Sequence, residues 1–151
     1  MRRLFFILAI ILYFKIKIIP RRFTLKSREK LKSAKLIQQL FKEGKSFSNF
    51  PFRVVYLTTE INSVHLQAAF SVSSKNFKKA VDRNRIKRLM REAYRLQKEE
   101  LKTELEETQQ YLVVFFIYMG NALPKYDEVY PKIGTALERL EKLFAQTNGR
   151  A

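Results

Sequence analysis

The nine residues from Tyr111 to Met119 (Tyr-Leu-Val-Val-Phe-Phe-Ile-Tyr-Met) carry no charge and no interruption. A strand with one wet face alternates apolar and polar side chains, so a continuous run of this length fits a strand buried on both faces. Gly120-Asn121 ends it. Phe52 to Thr59, rich in β-branched and aromatic residues, reads as a second strand, and Val64 to Ser73 reads as its partner across the hairpin-sized link Glu60-Ile61-Asn62-Ser63. Ser27 to Lys42 reads as a first helix with Leu36, Ile37, Leu40 and Phe41 as its apolar stripe, Leu31 a turn and a half before, and Gly44 at its C-cap. A last helix starts near Asp127, places Pro131 in its first turn, and gathers Ile133, Ala136, Leu137, Leu140, Leu143 and Phe144 on one side. With one more helix between the second and third strands, the order is α-β-β-α-β-α. That order predicts an α+β fold, three helices packed on one small mixed sheet.

The remaining helix carries the strongest functional signal. Between Lys78 and Leu101, Ile86, Leu89, Met90, Ala93, Gln97 and Leu101 recur at steps of three and four and share a face. Asn84, Arg88, Arg91 and Arg95 follow the same step on the opposite face, with Lys87 and Lys98 beside them and Arg83 and Arg85 flanking. Asp82 is placed to cap the N-terminus. From Lys78 to Lys98 there are nine Lys or Arg against Asp82 and Glu92. A merely solvated helix mixes its signs. A face of one sign costs self-repulsion unless a polyanion relieves it, and guanidinium forks match phosphate oxygens. Pairing within the helix is the competing role, as for Arg95 and Glu99 at i,i+4 spacing. A second basic block, Arg21 to Lys45, again holds nine Lys or Arg against Glu29 and Glu43. The net charge of +16 and a pI near 10.2 point the whole chain toward nucleic acid or an anionic membrane surface.

Other chemistries find little support. With no cysteine, disulfides, thiolate metal sites and cysteine nucleophiles are excluded. The single histidine, His65, lies on a strand-like stretch and reads as structural. No triad and no phosphate-cradling Gly-rich loop is present. A self-sufficient metal nuclease needs clustered carboxylates, whereas the basic face holds only Asp82 and Glu92, and the acidic run from Glu99 to Glu107 lies past it. No catalytic and no metal-ligating residue is therefore assigned.

The N-terminus departs from the rest. Leu4 to Phe14 is eleven consecutive apolar residues behind Arg2-Arg3, and Pro20 closes the segment. A bilayer-spanning helix needs roughly 20, and no small-x-small cleavage site follows. The readings are a translated upstream stretch outside the domain, an interfacial anchor, or a poor signal sequence. The first is favoured, with residues 1–20 an extension, 21–147 one domain and 148–151 a tail.

Phe70-Ser71-Val72-Ser73, a basic loop, and then Ala80-Val81-Asp82-Arg83-Asn84-Arg85-Ile86-Lys87-Arg88-Leu89-Met90-Arg91-Glu92-Ala93-Tyr94-Arg95 closely resemble the bacterial ribonuclease P protein subunit family, marked by an Arg-Asn-Arg signature on a long helix after a Ser-Val-Ser strand. Phe23-Thr24-Leu25-Lys26 and Arg28-Glu29-Lys30-Leu31, Leu40-Phe41-Lys42-Glu43-Gly44, and Phe52-Arg53-Val54-Val55-Tyr56 agree with its other elements, so the resemblance runs over about residues 22–145. Residues 1–20 have no counterpart, and the loop Ser73 to Lys79 is about one residue longer than the family form. The resemblance implies a fold of the ribosomal protein S5 domain 2-like type with a four-stranded sheet, the fourth strand being the short piece Lys45 to Phe47.

It further implies a cytoplasmic subunit of an endoribonuclease that removes the 5′ leader of precursor tRNA, the catalytic centre lying on the RNA subunit. Mg²⁺ would be held mainly by RNA. The expected partners are ribonuclease P RNA and precursor tRNA, with no obligate protein partner; membrane contact of residues 1–20 is not favoured. Arg83, Asn84, Arg85, Lys87, Arg88, Arg91 and Arg95 would meet the RNA subunit. Ile37, Phe41, Tyr56 and Lys75 would line a leader-binding cleft between the first helix and the sheet, where aromatic faces stack unpaired bases. From spacing alone, Phe41 and Ile37 read more readily as a helix's core stripe, and it is the resemblance that brings Phe41 level with the cleft reading. The alternatives are another basic RNA-binding module such as a ribosomal protein, a membrane-associated basic protein using residues 4–14, and a protein-only nuclease.

Overall fold

The computed structural model describes residues 25–60 and 63–147. The expectations for residues 1–20 and for the tail from Asn148 lie outside them. A single 3-10 turn, Ser27–Glu29, precedes α1 (Ala34–Glu43), and then come β1 (Lys45–Asn49), β2 (Phe52–Thr59), β3 (Leu66–Val72), α2 (Ala80–Gln97), α3 (Glu99–Glu107), β4 (Tyr111–Tyr118) and α4 (Tyr126–Thr147). The α+β class and the fourth strand at Lys45 stand as expected; there is one α-helix more than the three expected.

The sheet order is β1-β2-β4-β3. β2 runs antiparallel to β1 and to β4, and β3 runs parallel to β4. The hairpin expected between β2 and β3 therefore does not form, because β4 lies between them. A short link suggested pairing, but the all-apolar β4 is the strand that needs neighbours on both edges. It takes β2 at Val55↔Phe115 and β3 at Ala69↔Phe115.

Strand alternation gives the sheet two unlike faces. Phe52, Val54, Leu66, Ala68, Leu112, Val114 and Phe116 point to one side and form the main core with Ile86, Met90, Ala93 and Tyr94 of α2 and Ile133, Ala136, Leu137 and Leu140 of α4. Tyr94, absent from the expected stripe, is fully buried between Phe70 and Phe116, with centroid distances of 5.3 and 5.8 Å. Val55 and Val113 point to the other side, under Leu31 and Leu40, with Ile37, Leu57, Phe115 and Ile117 packed around them.

Three local expectations change. The first helix is split, because the Leu31 amide donates to the Ala68 carbonyl at 2.9 Å and the helix restarts only after Ser33, whose hydroxyl accepts from the Leu36 amide. Asp82 is not the N-cap of α2; Lys79 is, and Asp82 sits in the first turn, where its charge still complements the positive end of the helix dipole. Pro131 lies inside α4 rather than in its first turn. Gly44 does end α1, yet in an extended conformation (φ −68°). Glycine suits the site because a Cβ there would meet the Leu40 carbonyl oxygen at 2.2 Å. His65 is structural: its Nδ1 lies 2.8 Å from the Gln110 carbonyl, and its ring stacks on Tyr111.

Candidate nucleic-acid interface

Helix α2 divides its residues as its sequence predicts. Ile86, Met90, Ala93 and Tyr94 are buried, while Asn84, Arg85, Arg88 and Arg91 are exposed and Lys87 is half-buried. Two arginines of the signature face have partners. Arg83 donates through Nη1 to the carbonyls of Phe77 (2.8 Å) and Lys78 (2.7 Å), so it fastens the loop that enters the helix. Arg95 binds Glu92 through Nε at 2.9 Å and through Nη2, not the Glu99 that its spacing offered. That pairing holds the Glu92 carboxyl below its ordinary value.

Glu99 turns instead to Lys98, at 3.0 Å. Lys98 is 1% exposed and also binds Glu29 at 3.0 Å. Glu29, 4% exposed, accepts from the Lys26 amide at 2.8 Å and from Lys102 at 3.2 Å. Burial alone would raise the Glu29 carboxyl; the Lys26 amide, Lys98 and Lys102 outweigh it and hold it below the usual glutamate value. This group docks the N-terminal segment onto the α2–α3 junction. As a result Leu25 and Lys30 line one open basin with Arg88, Arg91, Glu92 and Arg95. Lys26 and Arg28 are exposed on the same segment.

A second candidate surface, a partly exposed apolar strip beside α1, lies on the less covered face of the sheet. Phe41, at the end of α1, is 52% exposed and meets Phe115 edge-on at 5.1 Å. Ile37, one turn earlier, is half-buried in the small cluster beneath α1. Beyond Phe115 the strip continues over Ile117 to Met119, which is exposed. Arg53, opposite Ile117 in the register, is exposed and reaches the Ser46 hydroxyl at 3.5 Å. Lys75 stands exposed on the turn after β3, at the Met119 end of the strip. Asn76 pins that turn by donating to the carbonyls of Met119 and Gly120, both at 3.0 Å.

Tyr56 does not belong to this groove. It lies on the opposite face, near Phe47 (6.0 Å) and Phe144 (6.4 Å), because Val55 beside it is turned toward α1. Its place in the groove is filled by Phe115, which the sequence reading did not single out. Phe115 lies within an unbroken apolar run, where nothing distinguishes the partly open positions from the buried ones. Arg53 was also missed, although it is the only charge in β2. Among the described residues, no group of three or more His, Cys, Asp or Glu is arranged to hold a metal ion, and no helix is long and apolar enough to cross a membrane.

Comparison with known proteins agrees with this architecture. The family model described as Ribonuclease P matches residues 25–141. The ribonuclease P protein component of Porphyromonas gingivalis is 39% identical over 122 residues, 80% of this chain and 89% of that protein. That of Chlorobium phaeobacteroides is 33% identical over 128 residues, 78% of this chain and 88% of its own length. Among solved structures, the ribonuclease P protein of Thermotoga maritima superposes with a TM-score of 0.59 at 25% identity, covering 74% of this chain and 97% of that one. The Staphylococcus aureus protein gives 0.52 at 28% identity, covering 76% and 94%. A ribosomal protein or a membrane-associated basic protein is not favoured by these matches. The chain belongs to the ribonuclease P protein component family, the protein subunit of an endoribonuclease that processes precursor tRNA.

Proposed function

We propose that the outward face of α2 binds ribonuclease P RNA and that the groove between α1 and the sheet receives the single-stranded 5′ leader of precursor tRNA. The observation that carries this reading is the division of α2. One side is sealed into the core, and the other offers Asn84, Arg85, Arg88 and Arg91 to solvent beside a second basic segment. Guanidinium groups bridge phosphate oxygens, and the Asn84 amide both donates and accepts at a sugar or base. Arg83 acts mainly by holding the loop before the helix, and Arg95 shares its charge with Glu92.

In the groove, Phe41 offers its exposed ring for base stacking, backed by Phe115, while Ile37 packs at its base. Arg53 and Lys75 supply positive charge along the leader's path. Catalysis is assigned to the RNA subunit, and Mg²⁺ to RNA oxygens, where it keeps most of its waters. Residues 21–147 form the working domain, which acts in the cytoplasm without an obligate protein partner.

The deciding experiment is precursor-tRNA cleavage at low Mg²⁺ by the full chain, with and without a cognate ribonuclease P RNA. Cleavage at the leader junction that needs both components is the expected result. Cleavage by the protein alone, or none with both components, overturns the reading. Within the complex, Arg88→Ala should reduce the salt dependence of RNA-subunit binding by about one phosphate contact. An unchanged slope would mean that Arg88 does not touch phosphate.

A further inference from the structure

Lys26-Ser27-Arg28-Glu29-Lys30 contains four polar or basic residues and one acid, and the acid is the residue turned inward. A carboxylate at 4% exposure is an uncommon choice, and buried ion pairs add little net stability over a packed apolar pair. Their best-attested use is to set register. Lys98 and Lys102 converge on Glu29 at 3.0 and 3.2 Å, and neither Arg28 nor Lys30 can replace it against two cations. Seating Glu29 therefore throws its two basic neighbours outward. Two backbone anchors agree with the same register: Gln67 donates to the Arg28 carbonyl at 2.9 Å, and Leu31 donates to Ala68. The outcome is that Lys30 reaches the basin of Arg88, Arg91 and Arg95.

We propose that Glu29 is a positioning residue for RNA binding: by docking on Lys98 and Lys102 it fixes the register that brings Lys30 into the basin of Arg88 and Arg91, where the three cations together hold the phosphate backbone of the RNA subunit. This rests on the reading that the outward face of α2 binds that RNA. The basin is then a composite of two segments some sixty residues apart in sequence, from Lys30 to Arg88.

The test is a mutant cycle on the full chain with ribonuclease P RNA, read as the slope of log affinity against log salt. Lys30→Ala should reduce the slope by about one phosphate contact, and Glu29→Gln by a similar amount. The double variant should lose no more than either alone, since Glu29 acts through Lys30. Arg88→Ala should add its own loss on either background. To separate register from folding, Glu29→Met with Lys98→Met keeps the site packed. This variant should melt near the parent yet show the slope of Lys30→Ala.

A parental slope in the folded double-methionine variant overturns the proposal, as do strictly additive losses for Glu29→Gln and Lys30→Ala. If the parent chain itself fails to bind the RNA, the functional reading falls first, and the positioning role with it.

Discussion

The two faces of the sheet are made from the same strands at alternate positions, yet they have opposite fates. On one, Phe52, Val54, Val114 and Phe116 are wholly enclosed by α2 and α4. On the other, the cover among the described residues is the short helix α1 with Leu31 before it, so Val55 and Val113 are buried while Phe41, Arg53 and Met119 remain in contact with water. The first face is where the fold's stability resides. The second is the more open one, and the proposed leader groove lies on it. A shift of one residue along β2 moves a side chain from one face to the other, as Tyr56 and Val55 illustrate.

The largest effect should come from breaking the enclosed face. Phe116→Ala should cost about 3–5 kcal/mol, seen as a large drop in the midpoint of denaturant unfolding; a loss under about 1 kcal/mol would mean that the two faces are not distinct in packing. On the open face, Phe41→Ala should leave unfolding little changed. It should weaken precursor tRNA relative to mature tRNA by about 1–3 kcal/mol, the worth of one stacked base. Equal weakening of both substrates would assign Phe41 to folding instead.

Arg53→Ala should produce a smaller change, reducing the salt slope of precursor binding by about 0.7, as for one single-strand phosphate; mature tRNA, which lacks the leader, should show none. The smallest effect is expected for Tyr56→Phe. With Tyr56 on the enclosed side, the ratio of precursor to mature binding should hold at the parental value, and a marked fall in that ratio would return it to the groove.

Much of this was legible in the sequence, and the gaps have physical causes. The interior strand, the apolar stripe of α2 and its cationic face follow from period and charge alone. The neighbours of a strand do not: β4 displays apolar side chains at both parities, so its pattern states burial and leaves partner choice to the topology. The assumption that adjacent strands pair then misplaced β3. In β2, Val54 and Val55 are apolar in succession, which blurs the phase. Arg53 was the available clue, since a charge marks the wetter parity and would have moved Tyr56 to the core side. The break at Lys98 has no proline or glycine to announce it. Nor does composition reveal that Glu29, lying in a basic stretch, is the residue that goes inward.

The strand order has a consequence for the newborn chain. β4 fits between two strands that leave the ribosome before it, so β3 has no strand neighbour, and β2 lacks one of its two, until Tyr118 has emerged. Translation of the intervening helices takes on the order of seconds. During that wait the hairpin of β1 and β2 has both edges open, surfaces on which nascent chains aggregate. A chain halted at Gln110 should therefore be protease-sensitive and sheet-poor even though it contains the whole cationic helix. Competence to bind RNA would arrive late in synthesis, once the last strand has closed the sheet and α4 has covered the main core.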